Sequence, residues 1–205
     1  CSYCIVPAAR GGPRSVPLTT VVDAVRGLAA EGVAEVVLTG INIGRYADAG
    51  VRLPGLVAAV AGTGIRRVRL SSIEPGDVTD ELLAVAAATP AFCRHLHVPV
   101  QSGANATLVA MGRPYDTATF ADVLARARAA LPGVAITTDV IVGFPGESAA
   151  DDEESRAFVE ACGFARLHVF RYSARPGTPA AARPDQVPPR VCAARAKAMR
   201  ALGEA

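Results

Sequence analysis

Short β-branched runs alternate with longer Ala/Leu/Val-rich segments along nearly the whole chain, and that alternation leaves few folds open. Residues 35–39 (EVVLT), 67–71 (RVRLS), 95–100 (HLHVPV), 135–142 (AITTDVIV) and 166–172 (RLHVFRY) read as strands. Helical periodicity falls between them. At 19–31, Val21, Val22, Val25, Leu28 and Ala29 share one face and Gly32 ends the run. Further helices are expected at 56–61, at 79–88 with Thr79 as its cap, and at 105–111, 117–131, 148–161 and 190–202, with a proline-rich loop at 176–189. Strand–helix–strand spacing of this kind predicts an α/β fold, a parallel sheet with helices outside it. Right-handed crossovers curl successive units one way, towards an open or partial barrel. The helix at 19–31 has no strand before it, so the first strand of such a barrel is expected to be missing.

At 205 residues and 51% hydrophobic, the chain is long enough for one well-buried domain, and no repeat or low-complexity tract divides it. The formal net charge of +2 identifies no partner, and of the 21 basic residues only Lys197 is a lysine. Five cysteines, an odd number without a visible signal peptide, argue against a disulfide framework and for a reducing, cytoplasmic setting. Cys93, Cys162 and Cys192 stand alone in sequence and read as small, partly buried apolar residues. No stretch is long and apolar enough to span a membrane, so no membrane partner is expected.

The unusual polar residues share an address, because each group follows an expected strand. Gly40 and Asn42 follow the first, Ser71, Ser72 and Glu74 the second, and Gln101 and Ser102 the third. Gly143 and Glu147 follow the fourth, and Tyr172, Ser173 and Arg175 the fifth. Strand C-terminal ends lie on one face of a parallel α/β fold and build its ligand sites, so five such loops argue for a shared site. The chain also opens on Cys1-Ser2-Tyr3-Cys4. A C-x-x-C pair serves as a redox couple, as half of a zinc site, or as part of an iron–sulfur site. Residues 5–17 hold three prolines and two glycines, which disfavours the helix a thioredoxin-like pair opens, and the nearest histidines are His95 and His97. Spacing alone leaves these readings open.

The segments CSYCIVP (1–7), LTGINIG (38–44), RLSSIEP (69–75), HLHVPVQSG (95–103), TDVIVGFPGE (138–147) and LHVFRYS (167–173) resemble, in order and spacing, the radical SAM methylthiotransferases. Within that family TGIN (39–42), SSIEP (71–75) and HLH (95–97) are most similar to the branch acting on threonylcarbamoyladenosine in tRNA. The resemblance implies a partial (β/α)6 radical SAM barrel over 1–205. An N-terminal methylthiotransferase domain and a C-terminal RNA-binding TRAM domain are expected to lie outside it.

The resemblance also implies the site. Cys1 and Cys4 match the second and third cysteines of C-x-x-x-C-x-x-C, with the first expected upstream of the chain start. Three such thiolates hold a [4Fe–4S] cluster whose open iron chelates S-adenosylmethionine, which is then cleaved to a 5′-deoxyadenosyl radical. Tyr3 is expected beside the adenine, and Gly40 and Asn42 at the methionine amino group. Glu74 and Gln101 are expected towards the ribose and methionine end, and Ile141 and Gly143 along the adenine, although Asp139 stands where a glycine is often found. Arg113 is a candidate partner for the SAM carboxylate, with a solvated helix-end charge as its rival; for Glu74 the rival is a helix N-cap.

The implied reaction adds a methylthio group at C2 of N6-threonylcarbamoyladenosine in tRNA. The alternatives are an isopentenyladenosine tRNA, a ribosomal-protein aspartate, or a cluster-less, non-catalytic binding relative. A second [4Fe–4S] cluster in the intact protein and an electron donor such as flavodoxin or ferredoxin are implied. These 205 residues are expected to be inactive alone. Arg45, Arg171 and Arg175 are expected to be solvated rather than to touch RNA.

Overall fold

The computed structural model describes residues 1–203. In chain order the elements are α1 (Val6–Arg10), α2 (Leu18–Ala30), β1 (Glu35–Leu38), β2 (Ala47–Asp48), β3 (Val51–Arg52), α3 (Leu53–Ala61), β4 (Arg67–Leu70), α4 (Asp80–Ala88) and β5 (His95–His97). There follow α5 (Asn105–Ala110), α6 (Thr117–Ala130), β6 (Ala135–Val142), α7 (Ala149–Cys162), β7 (Arg166–Arg171) and α8 (Pro189–Leu202). The chain divides into two compact units, one of residues 13–98 and 123–135, the other of 1–12, 99–122 and from 136 on.

In the unit of 13–98 and 123–135, β1 and β4 pair in parallel with Glu35 opposite Arg67 and Leu38 opposite Leu70. Parallel bridges Val68–Phe92 and Ser72–His97 continue the pairing from β4 to β5. The strand period of two puts Val68 and Leu70 in the core and turns Arg67 and Arg69 the other way. There Glu35 accepts from Arg67 Nε at 2.6 Å and from Arg69 Nε at 2.7 Å. Hydrogen bonds from Arg69 and then Arg67 hold the Glu35 carboxyl at about 2, against an ordinary 4.5. A depressed carboxylate contributes stability in full above the ordinary value and loses it as pH falls towards the folded one. Glu35→Gln is therefore expected to flatten the fall in Tm between pH values of about 4.5 and 2. An equally steep fall in the variant, followed by circular dichroism, would contradict this.

Helix α3 buries Leu53, Leu56, Val57 and Val60 and starts earlier than the periodicity at 56–61 predicts. Pro54 lies in its first turn, where the missing N–H costs nothing. Helix α4 begins as expected, with Thr79 Oγ1 accepting from Leu82 N at 3.2 Å and Asp80 and Glu81 in the first turn. Asp48 accepts from Leu18 N at 2.7 Å and so caps α2, where Pro17 has no capping side chain.

In the other unit β6 and β7 are parallel, with Thr138 opposite Leu167 and Val142 opposite Arg171. Residues 99–101 do not continue the strand expected at 95–100. Pro99 lacks an N–H, and Gln101 adopts φ 66° and docks on β6 instead. Its N–H donates to Asp139 O at 2.9 Å and its carbonyl accepts from Ile141 N at 2.8 Å. Helix α7 opens on a capping box formed by Ser148 and Asp151 and closes on Gly163 at φ 58°. Phe120, Met111, Leu108, Ile136, Val140, Val142 and Phe144 form the buried interior of this unit. Among the described residues no helix is long and apolar enough to cross a membrane.

Candidate functional site

The Cys1–Cys4 segment is a turn fixed at its backbone. Ser2 N–H donates to Met111 O at 2.8 Å, Ser2 Oγ donates to Ala110 O at 2.8 Å, and Ala180 N–H donates to Ser2 O at 2.9 Å. The end of α5 and the short helical turn Pro179–Ala182 thus clamp it from two sides. All five cysteines are free thiols; Cys1 is exposed and Cys4 half-buried, whereas Cys93, Cys162 and Cys192 are buried. Tyr3 packs onto a core of Met111, Phe144 and Ala180, beside Ile141 and Tyr172. Its ring meets Phe144 edge-on at 6.0 Å, and Phe144 meets Tyr172 in the same way at 5.3 Å. Tyr172 Oη is buried without a hydrogen-bond partner among the described residues.

Arg113 is not the solvated helix-end charge of the rival reading. Its side chain is buried, Nη1 donates to Cys1 Sγ at 2.8 Å, and Nε donates to Tyr115 Oη at 3.0 Å. Gly143 takes φ 74°, and an added Cβ would overlap the Cys192 side chain, so only glycine fits this turn. Its N–H donates to Glu147 Oε1 at 2.9 Å, and the same oxygen accepts from Arg195 Nη1 at 2.6 Å. Burial raises the Glu147 carboxyl above its ordinary value, while the Gly143 N–H and Arg195 act against that. Asp139, standing where a glycine was looked for, faces His168 with Oδ1 3.3 Å from Nδ1. One unit therefore holds Cys1, Tyr3, Cys4, Gln101, Arg113, Ile141 and Gly143.

Gly40, Asn42 and Glu74 belong to the other unit. An added Cβ at Gly40 would meet Ile43 at ordinary van der Waals distances of 3.6–3.8 Å, so the fold itself does not demand glycine there. Gly44 is the constrained glycine of this loop, since a Cβ would overlap the Asp77 side chain. Asn42 is exposed and precedes the short helical turn Ile43–Arg45. Glu74 stands at the N-cap position of a similar turn, Pro75–Asp77, where its side chain makes no capping hydrogen bond. Ser71 Oγ, at the end of β4, is buried without a hydrogen-bond partner among the described residues.

Ser2, Tyr115, Phe144 and Arg195 support the site and were not singled out from sequence. The partners of Ser2 and Arg195 lie 108 and 48 residues away, so no local pattern announces them.

Solved structures share this α/β architecture. The radical S-adenosylmethionine methyltransferase TsrM from Kitasatospora setae superposes with TM-score 0.70 at 20% identity, covering 88% of this chain and 34% of its own. The radical SAM coproporphyrinogen III oxidase HemN from Escherichia coli gives 0.67 at 15% identity, covering 90% and 45%. The fold is thus that of radical SAM enzymes. The family model for the radical SAM superfamily matches residues 1–159, and the chain belongs to that superfamily.

Among curated relatives, the tRNA-2-methylthio-N(6)-dimethylallyladenosine synthase of Acidothermus cellulolyticus is 44% identical over 208 residues, covering 100% of this chain and 42% of that protein. The threonylcarbamoyladenosine tRNA methylthiotransferase MtaB of Bacillus subtilis is 43% identical over 193 residues, covering 91% and 42%. The chain thus spans less than half the length of these relatives.

The thiol turn suits an iron–sulfur cluster by its donor chemistry. Cys1 and Cys4 are two soft sulfur donors three residues apart, neither is in a disulfide, and both are accessible to an incoming metal.

Proposed function

We propose that the protein carrying this chain is a tRNA methylthiotransferase that adds a methylthio group at C2 of N6-threonylcarbamoyladenosine. The observation that carries this reading is the likeness to tRNA methylthiotransferases along 91–100% of the chain, together with a free C-x-x-C turn clamped at its backbone. Cys1 and Cys4 would be two of three ligands to a [4Fe–4S] cluster, the third falling four positions before Cys1. Such a cluster supplies the electron that cleaves S-adenosylmethionine.

The chain's own residues would bind and orient that cofactor. Tyr3, Ile141 and Gly143 line the adenine, Gly40 and Asn42 meet the methionine amino group, and Glu74 and Gln101 reach the ribose and methionine end. Tyr172 Oη, buried without a hydrogen-bond partner among the described residues, supports a polar guest in the unit that holds the thiol turn. A second [4Fe–4S] cluster and an RNA-gripping domain would belong to the rest of the protein, and a flavodoxin or ferredoxin would supply electrons.

A second reading, dimethylallyladenosine as the substrate, is favoured by the 44% identity to the Acidothermus synthase. The intact protein, reduced and supplied with S-adenosylmethionine, can be offered tRNA bearing either modification, and the nucleosides weighed by mass spectrometry. A methylthio mass gain on the threonylcarbamoyl nucleoside is expected. Gain only on the dimethylallyl nucleoside selects the second reading, and gain on neither overturns both.

A further inference from the structure

Arg113 follows Gly112, whose φ of 67° turns the chain at the end of α5. The residue is only 9% exposed, and its guanidinium is held on several sides. Nη1 donates to Cys1 Sγ at 2.8 Å, Nε donates to Tyr115 Oη at 3.0 Å, and the group lies over the Tyr115 ring, 4.9 Å from its centroid. The Tyr115 hydroxyl shares its proton between Pro99 O and Val100 O at 3.1 and 3.2 Å. Ser2 is bonded to the carbonyls of Ala110 and Met111, so the segment that presents Arg113 also anchors the thiol turn. This arginine is therefore aimed at a sulfur from a rigid mount, rather than swinging from a surface.

We infer that Arg113 is a positioning residue that acts through Cys1, an N–H···S donor and fixed positive charge that sets how readily the cluster accepts its electron. The inference rests on the reading of Cys1 and Cys4 as cluster ligands. One electron from a low-potential donor makes the ligated assembly one unit more negative. A guanidinium against a ligating sulfur stabilises that more negative state over the oxidised one, and hydrogen bonds to cluster sulfurs raise the potential in the same sense. Arginine stays protonated in both states, so no proton accompanies the electron at this site and the effect does not vary with pH across the neutral range.

The test is a redox titration of the intact, anaerobically reconstituted protein with dithionite and mediators. It is followed by the electron paramagnetic resonance signal that S-adenosylmethionine alters. Arg113→Gln is expected to move the midpoint to more negative potential, by an amount on the order of a tenfold change in the reduced-to-oxidised ratio, about 59 mV for one electron. Arg113→Lys, which keeps the charge and loses the planar fork, is expected to recover part of the shift, with S-adenosylmethionine affinity unchanged in both. An unshifted midpoint with the cluster intact overturns the inference; if affinity falls instead, Arg113 serves the cofactor carboxylate. If Arg113→Gln does not fold, Tyr115→Phe frees Nε and leaves the charge; a smaller negative shift supports the inference and no shift overturns it. Failure of the underlying reading looks different: the signal that S-adenosylmethionine alters survives when Cys1 and Cys4 are both replaced by serine.

Discussion

Replacing Cys4 with serine in the intact protein is expected to abolish reductive cleavage of S-adenosylmethionine, with 5′-deoxyadenosine falling to the level of a protein-free control. A cluster with one open iron needs three protein thiolates, and a serine oxygen is a poor replacement for a soft sulfur. Cys4 is half-buried in a turn whose backbone is bonded to Met111, Ala110 and Ala180, so no neighbouring thiol can move in to replace it. Cys192, the thiol beside Gly143, is buried and held on α8. The loss should be specific to the metal site: the apo protein should keep its melting temperature, because Cys4 is only half-buried and lies outside the buried core of the described residues. Retention of 5′-deoxyadenosine formation in the variant would remove Cys4 from the ligand set.

The largest stability effect is expected at Phe144. The ring is fully buried, packs on Met111 and Ala180, and meets Tyr3 and Tyr172 edge-on. Phe144→Ala deletes a buried ring and leaves a cavity among Met111, Ala180, Tyr3 and Tyr172, a change that costs about 3–5 kcal/mol. In a chain of 205 residues each kcal/mol moves Tm by roughly 2–4 °C, so a fall of roughly 6–20 °C is expected in a thermal scan. Phe144→Leu keeps most of the volume and should lose less than half of that. The variant also removes the face on which Tyr3 rests, so the thiol turn should become more accessible to hydrogen exchange at Ser2 and Tyr3. A loss under about 1 kcal/mol for Phe144→Ala would mean that this aromatic cluster does not support the turn.

Much of this frame was legible in the sequence because it rests on local signals. The runs at 35–39, 67–71 and 135–142 are β-branched and close to their observed bounds, and Thr79 and Ser148 begin their helices with side chains that can accept an N–H. The misses share a physical cause, since each depends on a backbone state or partner that local composition does not advertise. Helix α1 forms in a segment of three prolines and two glycines because Pro7 falls in its first turn, where proline is tolerated, and Gly11 ends it. The hairpin of β2 and β3 turns on Ala49 and Gly50, both at positive φ, and alanine gives no hint of a left-handed position. The strand expected at 95–100 stops at His97 because Gln101 leaves the extended region to pair with β6.

The site divides in the same way. Cys1 and Cys4 are visible as a motif, and Gly143 as a glycine after a strand. The reason for Gly143 is Cys192, nearly fifty positions on, and Arg113 finds its sulfur partner 112 residues away. The family resemblance offered Arg113 a cofactor carboxylate, with solvent as the rival; the contact with Cys1 belongs to the fold.

The central claim is that the Cys1–Cys4 turn holds the cluster to which S-adenosylmethionine binds. Its most direct test is the electron paramagnetic resonance spectrum of the reduced, intact protein recorded with and without S-adenosylmethionine, for the wild type and for the variant with serine at both positions. The cofactor should change the wild-type spectrum and leave that of the double variant unchanged, whatever other clusters the protein carries. The same cofactor-induced change in both proteins would contradict the account.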